Sequence, residues 1–181
     1  MRIEYLALGA VMRMPRNPKL HALDHLGASF DRFGFVSPPT MDETTGMLVA
    51  GHGRLSALQR AKDAGQEPPA RVMLDASGEW LVPVVRGVSF ESEREAEAYA
   101  IADNHLTEVG GWDYMRLASI VQDLAAEGDG SLEGLGYEDY ELKKMLGLLE
   151  EQGRAEGVDP EERKSNVIEC PACGHKFAKV K

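Results

Sequence analysis

Cysteine is nearly absent from this chain: two thiols in 181 residues leave no room for a disulfide framework. No apolar run approaches the ~20 residues that span a bilayer. The opening MRIEYLALGA has neither the long apolar core nor the cleavage site of a signal peptide. These absences predict a cytoplasmic protein with no membrane segment. Positive charge is also in short supply, with 30 acids against 20 bases and a net charge of −10. Such a surface repels nucleic acid in general and leaves room only for a local basic site. Internal repeats and low-complexity blocks are missing too. What remains, 43% hydrophobic and 28% charged residues, is the balance of a folded protein. The length suits one domain with appended elements.

The apolar pattern predicts an α/β body of strands and helices. Residues 3–8 read as a strand, followed by a proline-punctuated loop, RMPRNPKLH. Leu20, Leu23, Leu26, Phe30 and Phe33 have helical spacing, and Gly34 stops them. MDETTGMLVAG reads as strand, turn, strand, and runs into a helix from about Arg54 to Gly65. ARVML and WLVPVVRGVSF read as further strands. Ser92 and Glu95 have the form of a capping box that opens a helix to about Leu106. Two more helices follow, from Trp112–Asp113 and over YEDYELKKMLGLLEEQ. This divides the chain into a body (1–108), a helical extension (109–152), and a linker with a cysteine-containing tail (153–181).

Three short stretches carry chemistry. Gly51-His52-Gly53-Arg54 lies between an apolar strand and an amphipathic helix. Glycines let backbone N–H groups approach an anion, the helix start adds partial positive charge, and arginine can fork two phosphate oxygens. The same residues also suit a plain tight bend with Arg54 paired to a carboxylate. Asp103-Asn104-His105 sets a carboxylate beside an amide, which suits a Mg²⁺ held jointly with phosphates. It equally suits a solvated helix end. Arg16-Asn17-Pro18-Lys19 puts two cations and an amide on a restrained loop.

Taken in order, the N-P-basic loop at 17–19, the D-R-F-G-F helix end, L-V-A-G-H-G-R-L-S-A-L and I-A-D-N-H-L-T-E resemble the ParB/sulfiredoxin-like superfamily. The resemblance is to its ParB N-terminal-like domain ("ParB-like nuclease") of the phage or mobile-element type, over about residues 3–125. It implies an α+β fold, a small mixed β-sheet with flanking helices, and a nucleotide pocket, CTP or ATP with Mg²⁺. Gly51, His52, Gly53, Arg54, Asn17, Lys19 and Asn104 would bind the nucleotide, Asp103 and Asn104 would hold Mg²⁺, and Asp103 and Arg54 would be catalytic. The chain departs from the pattern at His52, Gly53 and Thr107, where the segregation proteins carry Glu, Arg and Arg, and at Lys19, where they carry Arg. The cysteine that sulfiredoxin chemistry needs at position 52 is a histidine. No basic recognition helix follows the domain.

Cys170-Pro171-Ala172-Cys173-Gly174-His175 has the form of a zinc-ribbon knuckle, with Cys170, Cys173 and His175 as Zn²⁺ ligands and a fourth ligand from elsewhere or from a homodimer. Arg163, Lys164, Lys176, Lys179 and Lys181 against Glu169 give the tail a local net charge of +4, suited to DNA. The leading expectation is a ParB-like nucleotide-binding protein with weak Mg-dependent hydrolase or phosphotransferase activity, in DNA transactions of a phage or mobile element. The alternatives are a non-catalytic adaptor for a DNA methyltransferase or packaging protein, and a DNA nuclease.

Overall fold

The structure, a computed structural model, describes residues 1–127, 131–155, 167–169 and 176–178. The strands are β1 (Arg2–Ala7), β2 (Thr40–Asp42), β3 (Leu48–Ala50), β4 (Met73–Leu74), β5 (Trp80–Val88), β6 (Val167–Glu169) and β7 (Lys176–Ala178). The helices are α1 (Leu23–Phe33), α2 (His52–Asp63), α3 (Glu93–Val109), α4 (Tyr114–Ala126) and α5 (Asp139–Ala155), with a short 3-10 turn at Leu8–Ala10. Contacts gather into two compact units. The first holds Met1–Gly111 with Glu133–Tyr137, and the second begins at Trp112.

The first unit is built on one mixed sheet with β5 as its long strand. β1 runs antiparallel to β5, from Arg2 opposite Arg86 to Ala7 opposite Leu81. β2 runs parallel to β5 and antiparallel to β3, and β4 pairs with the first residues of β5. Trp80, Val82 and Val84, alternate residues of β5, are buried in one core with Phe35, Leu48, Leu55 and Leu58. Phe30 of α1 meets Phe35 edge-on, with ring centroids 5.4 Å apart. Fully burying a leucine such as Leu55 or Leu58 contributes roughly 1.5–3 kcal/mol. Leu48 belongs to this core, while its neighbour Val49 joins a second cluster with Met14 and Ala96 of α3. A strand turns successive side chains to opposite faces, so β3 carries α2 packing on one face and α3 on the other. The fold class is the one the family resemblance implies, α+β with a mixed sheet and flanking helices.

A buried carboxylate fixes the hairpin ahead of α2. Asp42 accepts from the Thr44 N–H (3.2 Å), the Thr45 N–H (2.9 Å), the Thr45 hydroxyl (2.7 Å) and the Phe90 N–H (3.0 Å). Burial opposes its ionisation, yet these donors outweigh burial and hold its pKa below the usual carboxylate value. Next to it, Glu43 receives both arms of Arg86, at 3.0 and 2.5 Å, and the Gly87 N–H at 2.7 Å. The Arg86 hydrogen bonds and the Gly87 N–H bring its pKa down to about 2.

Some boundaries differ from the sequence reading, for local reasons. α1 starts at Leu23 and leaves Leu20 exposed, because residues 17–21 are held in a loop by side-chain bonds described below. β4 is confined to two residues because Arg71 upstream takes a positive φ of 76°, and its guanidinium donates to the Phe33 carbonyl at 2.8 Å. α3 continues to Val109, so Asp103 and Asn104 lie inside the helix and not at its end. Its N-cap is Ser92, whose hydroxyl accepts from the Glu95 N–H at 3.3 Å.

In the second unit, α4 is capped by Asp113, which accepts from the Arg116 N–H at 3.1 Å. α4 and α5 pack on each other, and Ala118, Val121, Leu142, Met145 and Leu149 are buried. β6 and β7 pair antiparallel. Cys170, Cys173 and His175, the expected zinc ligands, lie outside the described residues. Among the described residues no helix is long and apolar enough to cross a membrane.

Candidate functional site

The site is built at the start of α2. Gly51, the N-cap, has φ 97°, a left-handed conformation that costs a residue with a Cβ about 1–2 kcal/mol. A Cβ there would also lie 2.7 Å from Pro39 Cβ and 2.9 Å from Pro39 Cα. Glycine is therefore required twice over, by backbone conformation and by the close approach of Pro39. No side chain caps this helix end. The first-turn N–H groups, those of His52, Gly53 and Arg54, have no carbonyl one turn back to bond within the helix. The uncapped end combines free donors with the positive pole of the helix dipole.

Two side chains of the same turn hold buried nitrogens without a partner. His52 is 9% exposed, and its Nε2 meets no acceptor or donor. The Arg54 guanidinium donates from Nη1 to the Ser37 hydroxyl at 2.9 Å, while its Nε is buried and unpaired. These are the only buried side-chain polar atoms among the described residues that lack a partner. Leaving such a group unmatched costs about 1–3 kcal/mol. Burial lowers the Arg54 pKa, and the nearby negative charge of Asp103 works the other way. The His52 pKa is lowered by burial, then by the charges of His21 and Arg13.

The loop before α1 lies beside this turn. Asn17 Oδ1 accepts the Lys19 N–H at 3.3 Å, and Asn17 Nδ2 sits 3.3 Å from His21 Nε2. Arg13 Nη1 donates to the Ser56 hydroxyl of α2 at 2.7 Å. Two ion pairs stitch the loop to α3: Arg16 with Glu97 at 3.3 Å, and Lys19 with Glu108. A groove of about 320 Å³ runs between Pro15–Pro18 and the α3 residues Glu97, Ala100 and Ile101.

The structure thus brings Gly51, His52, Gly53 and Arg54 together on one turn, with Asp103 close enough for its charge to reach Arg54. Asp103 is exposed and accepts from the Tyr99 hydroxyl at 3.3 Å, with the Tyr99 ring packed on Phe90. Asn104 bonds its own helix, Nδ2 donating to the Ala100 carbonyl at 2.8 Å, which leaves its Oδ1 as the atom able to face a cation. Lys19, expected to face phosphates, is paired with Glu108. No cluster of three or more metal-ligating side chains occurs among the described residues. A Mg²⁺ held mainly by phosphates and water needs only one or two protein oxygens, and Asp103 with Asn104 Oδ1 matches that set.

Sequence reasoning passed over Arg13, His21 and Ser37. Arg13 and His21 reach the turn from the loop before α1 and Ser37 from the loop after α1, and no local pattern marks them.

No family model matches the chain, and no curated protein matches it. Among solved structures, the chain is similar to the C-terminally truncated chromosome-partitioning protein ParB from Caulobacter crescentus, complexed with CTP-gamma-S. The TM-score is 0.57 and the identity 17%, over 91% of this chain and 83% of that one. A Pnob8-like ParB-N domain aligns with TM-score 0.39 and 13% identity, over 98% of this chain and 56% of that one. The chain has the ParB-like N-terminal fold, as its motifs lead one to expect.

Proposed function

We propose that this protein binds a nucleoside triphosphate with Mg²⁺, its phosphates seated on the N-terminus of α2. The observation that carries the reading is the pair of buried, unpartnered nitrogens, Arg54 Nε and His52 Nε2, on one uncapped helix turn. A polyanion supplies acceptors to both, to the first-turn N–H groups and to the helix dipole at once. The fold shared with the Caulobacter protein, which was complexed with CTP-gamma-S, supports the same ligand class. Arg54 neutralises phosphate charge, and Asp103 with Asn104 Oδ1 holds Mg²⁺ beside the phosphates. Weak hydrolysis or phosphotransfer would rest on this positioning and charge neutralisation, with Arg54 and Asp103 as the residues closest to the chemistry.

Calorimetric titration with CTP, ATP and GTP plus Mg²⁺ tests the reading. Saturable binding that Arg54→Ala weakens by about 10–150-fold is expected, the loss of a charge-assisted contact of roughly 1.5–3 kcal/mol. No binding at millimolar nucleotide contradicts it. A non-catalytic adaptor is favoured by one observation, the pairing of Lys19 with Glu108. No nucleotide binding by the folded protein would select it.

A further inference from the structure

Gly53, the second residue of α2, is buried, and its missing side chain has a definite replacement. A Cβ on Gly53 would lie 2.6 Å from His21 Nδ1 and 2.7 Å from its Cγ. The imidazole therefore occupies the place where a residue-53 side chain would begin, beside the first-turn N–H groups. Its tautomer follows from its neighbours. Asn17 Oδ1 accepts from the Lys19 N–H, so Nδ2 is the Asn17 atom that faces His21, and it can only donate. His21 Nε2 is then the acceptor and the proton resides on Nδ1, the atom against Gly53. A ring N–H thus sits at the anion-binding end of the helix, supplied from a loop more than thirty residues away.

We propose that His21 is a phosphate-contacting residue of this site, donating from Nδ1 to the anion at the α2 N-terminus and, as the anion binds, taking up a proton on Nε2 in exchange for the hydrogen bond from Asn17 Nδ2. The proposal rests on the polyphosphate reading of the same turn. Its electrostatic basis is simple. Arg13 and Lys19 on the loop and His52 on α2 face His21, and Lys19 is itself paired with Glu108 of α3. Partial burial, then the charges of Lys19 and Arg13, lower the His21 pKa and disfavour its imidazolium in the free protein. A bound polyphosphate brings several negative charges into that cationic surround and reverses the balance, favouring the imidazolium. Ligand binding and protonation are then linked, and affinity rises as pH falls.

The test is calorimetry of the full chain with Mg–CTP and, separately, with inorganic tripolyphosphate, between pH 5.5 and 8. Two buffers of different ionisation enthalpy report the protons taken up. Wild type, His21→Gln, His21→Arg and Arg54→Ala are compared. Phosphate titration contributes equally to all four, so differences between proteins isolate His21. The expected result is a proton uptake at pH 7 that His21→Gln lacks, with affinity lowered about tenfold at pH 5.5 and less at pH 8. His21→Arg, with a fixed charge, should restore binding and show no uptake. If wild type binds, Arg54→Ala loses binding, and His21→Gln keeps the wild-type affinity and proton uptake, then His21 is only packing and the inference fails while the nucleotide reading stands. If wild type binds neither ligand at any pH, both fall.

Discussion

The two halves of the candidate site are held in different ways. The start of α2 is over-determined. Gly51 is fixed by a left-handed backbone and by Pro39, and His52 and Gly53 are buried. The turn follows directly from β3, whose hairpin Asp42 clamps with four hydrogen bonds. The Asp103–Asn104 stretch of α3 is anchored through Ala96 and Ala100 on its inner face and through the ion pairs of Glu97 and Glu108 with the loop before α1. The polar groups of Asp103 and Asn104 themselves bond within their own helix or face solvent. A preorganised anion cradle gains affinity because its donors are ordered before the ligand arrives. An exposed carboxylate at a metal position costs the fold nothing and is satisfied by water until phosphates bring the ion. On the proposed reading, phosphate affinity is built into the fold, while cation affinity depends on the ligand.

Substitutions can break or sharpen this contrast. The largest effect is expected from Gly51→Ala, which meets both the φ penalty and the clash with Pro39. Chemical denaturation should show a loss of roughly 2–4 kcal/mol. A change in Tm of less than a degree would mean that the turn is not over-determined. Acid should weaken the sheet beneath the turn next. Glu43 has its pKa lowered from 4.5 to about 2, so its contribution is fully present above pH 4.5 and is lost as pH falls toward 2. Denaturation of Glu43→Gln should show a shallower decline over that window than wild type. Ser92→Ala removes the cap of α3 and should cost about 1 kcal/mol, read in the same assay, with the α2 turn unaffected. The smallest stability effect belongs to Asp103→Ala, expected within about 0.5 kcal/mol of wild type. Its consequence should appear only in nucleotide titrations, as loss of the Mg²⁺ dependence of binding.

Much of this arrangement was legible in the sequence where one segment carries its own signal. The strand-to-helix turn at Gly51–Arg54 and the helix opened by Ser92 follow from spacing, glycine placement and capping, and the mixed fold from the motifs that carry the family resemblance. Boundaries failed where a distant partner decided them. Leu20 reads as helical by periodicity, but the Asn17–Lys19 turn and the packing of His21 on Gly53 delay the helix to Leu23. Lys19 reads as a free cation, and its pairing with Glu108, 89 residues away, has no local trace. Nothing in the strand, turn, strand reading of MDETTGMLVAG singles out Asp42, and only the fold shows that a backbone N–H from Phe90 completes its shell. Single-sequence patterns encode neighbours along the chain and are silent about partners across it.

The most direct test of the central claim is an amide NMR titration of the isotope-labelled chain with Mg–CTP and with Mg²⁺ alone. The account predicts that nucleotide shifts the amides of His52, Gly53 and Arg54 most, together with the Arg54 Nε–H, while Mg²⁺ alone leaves them in place. Shifts confined to other surfaces, with the Gly51–Arg54 turn unchanged at saturating nucleotide, would contradict it.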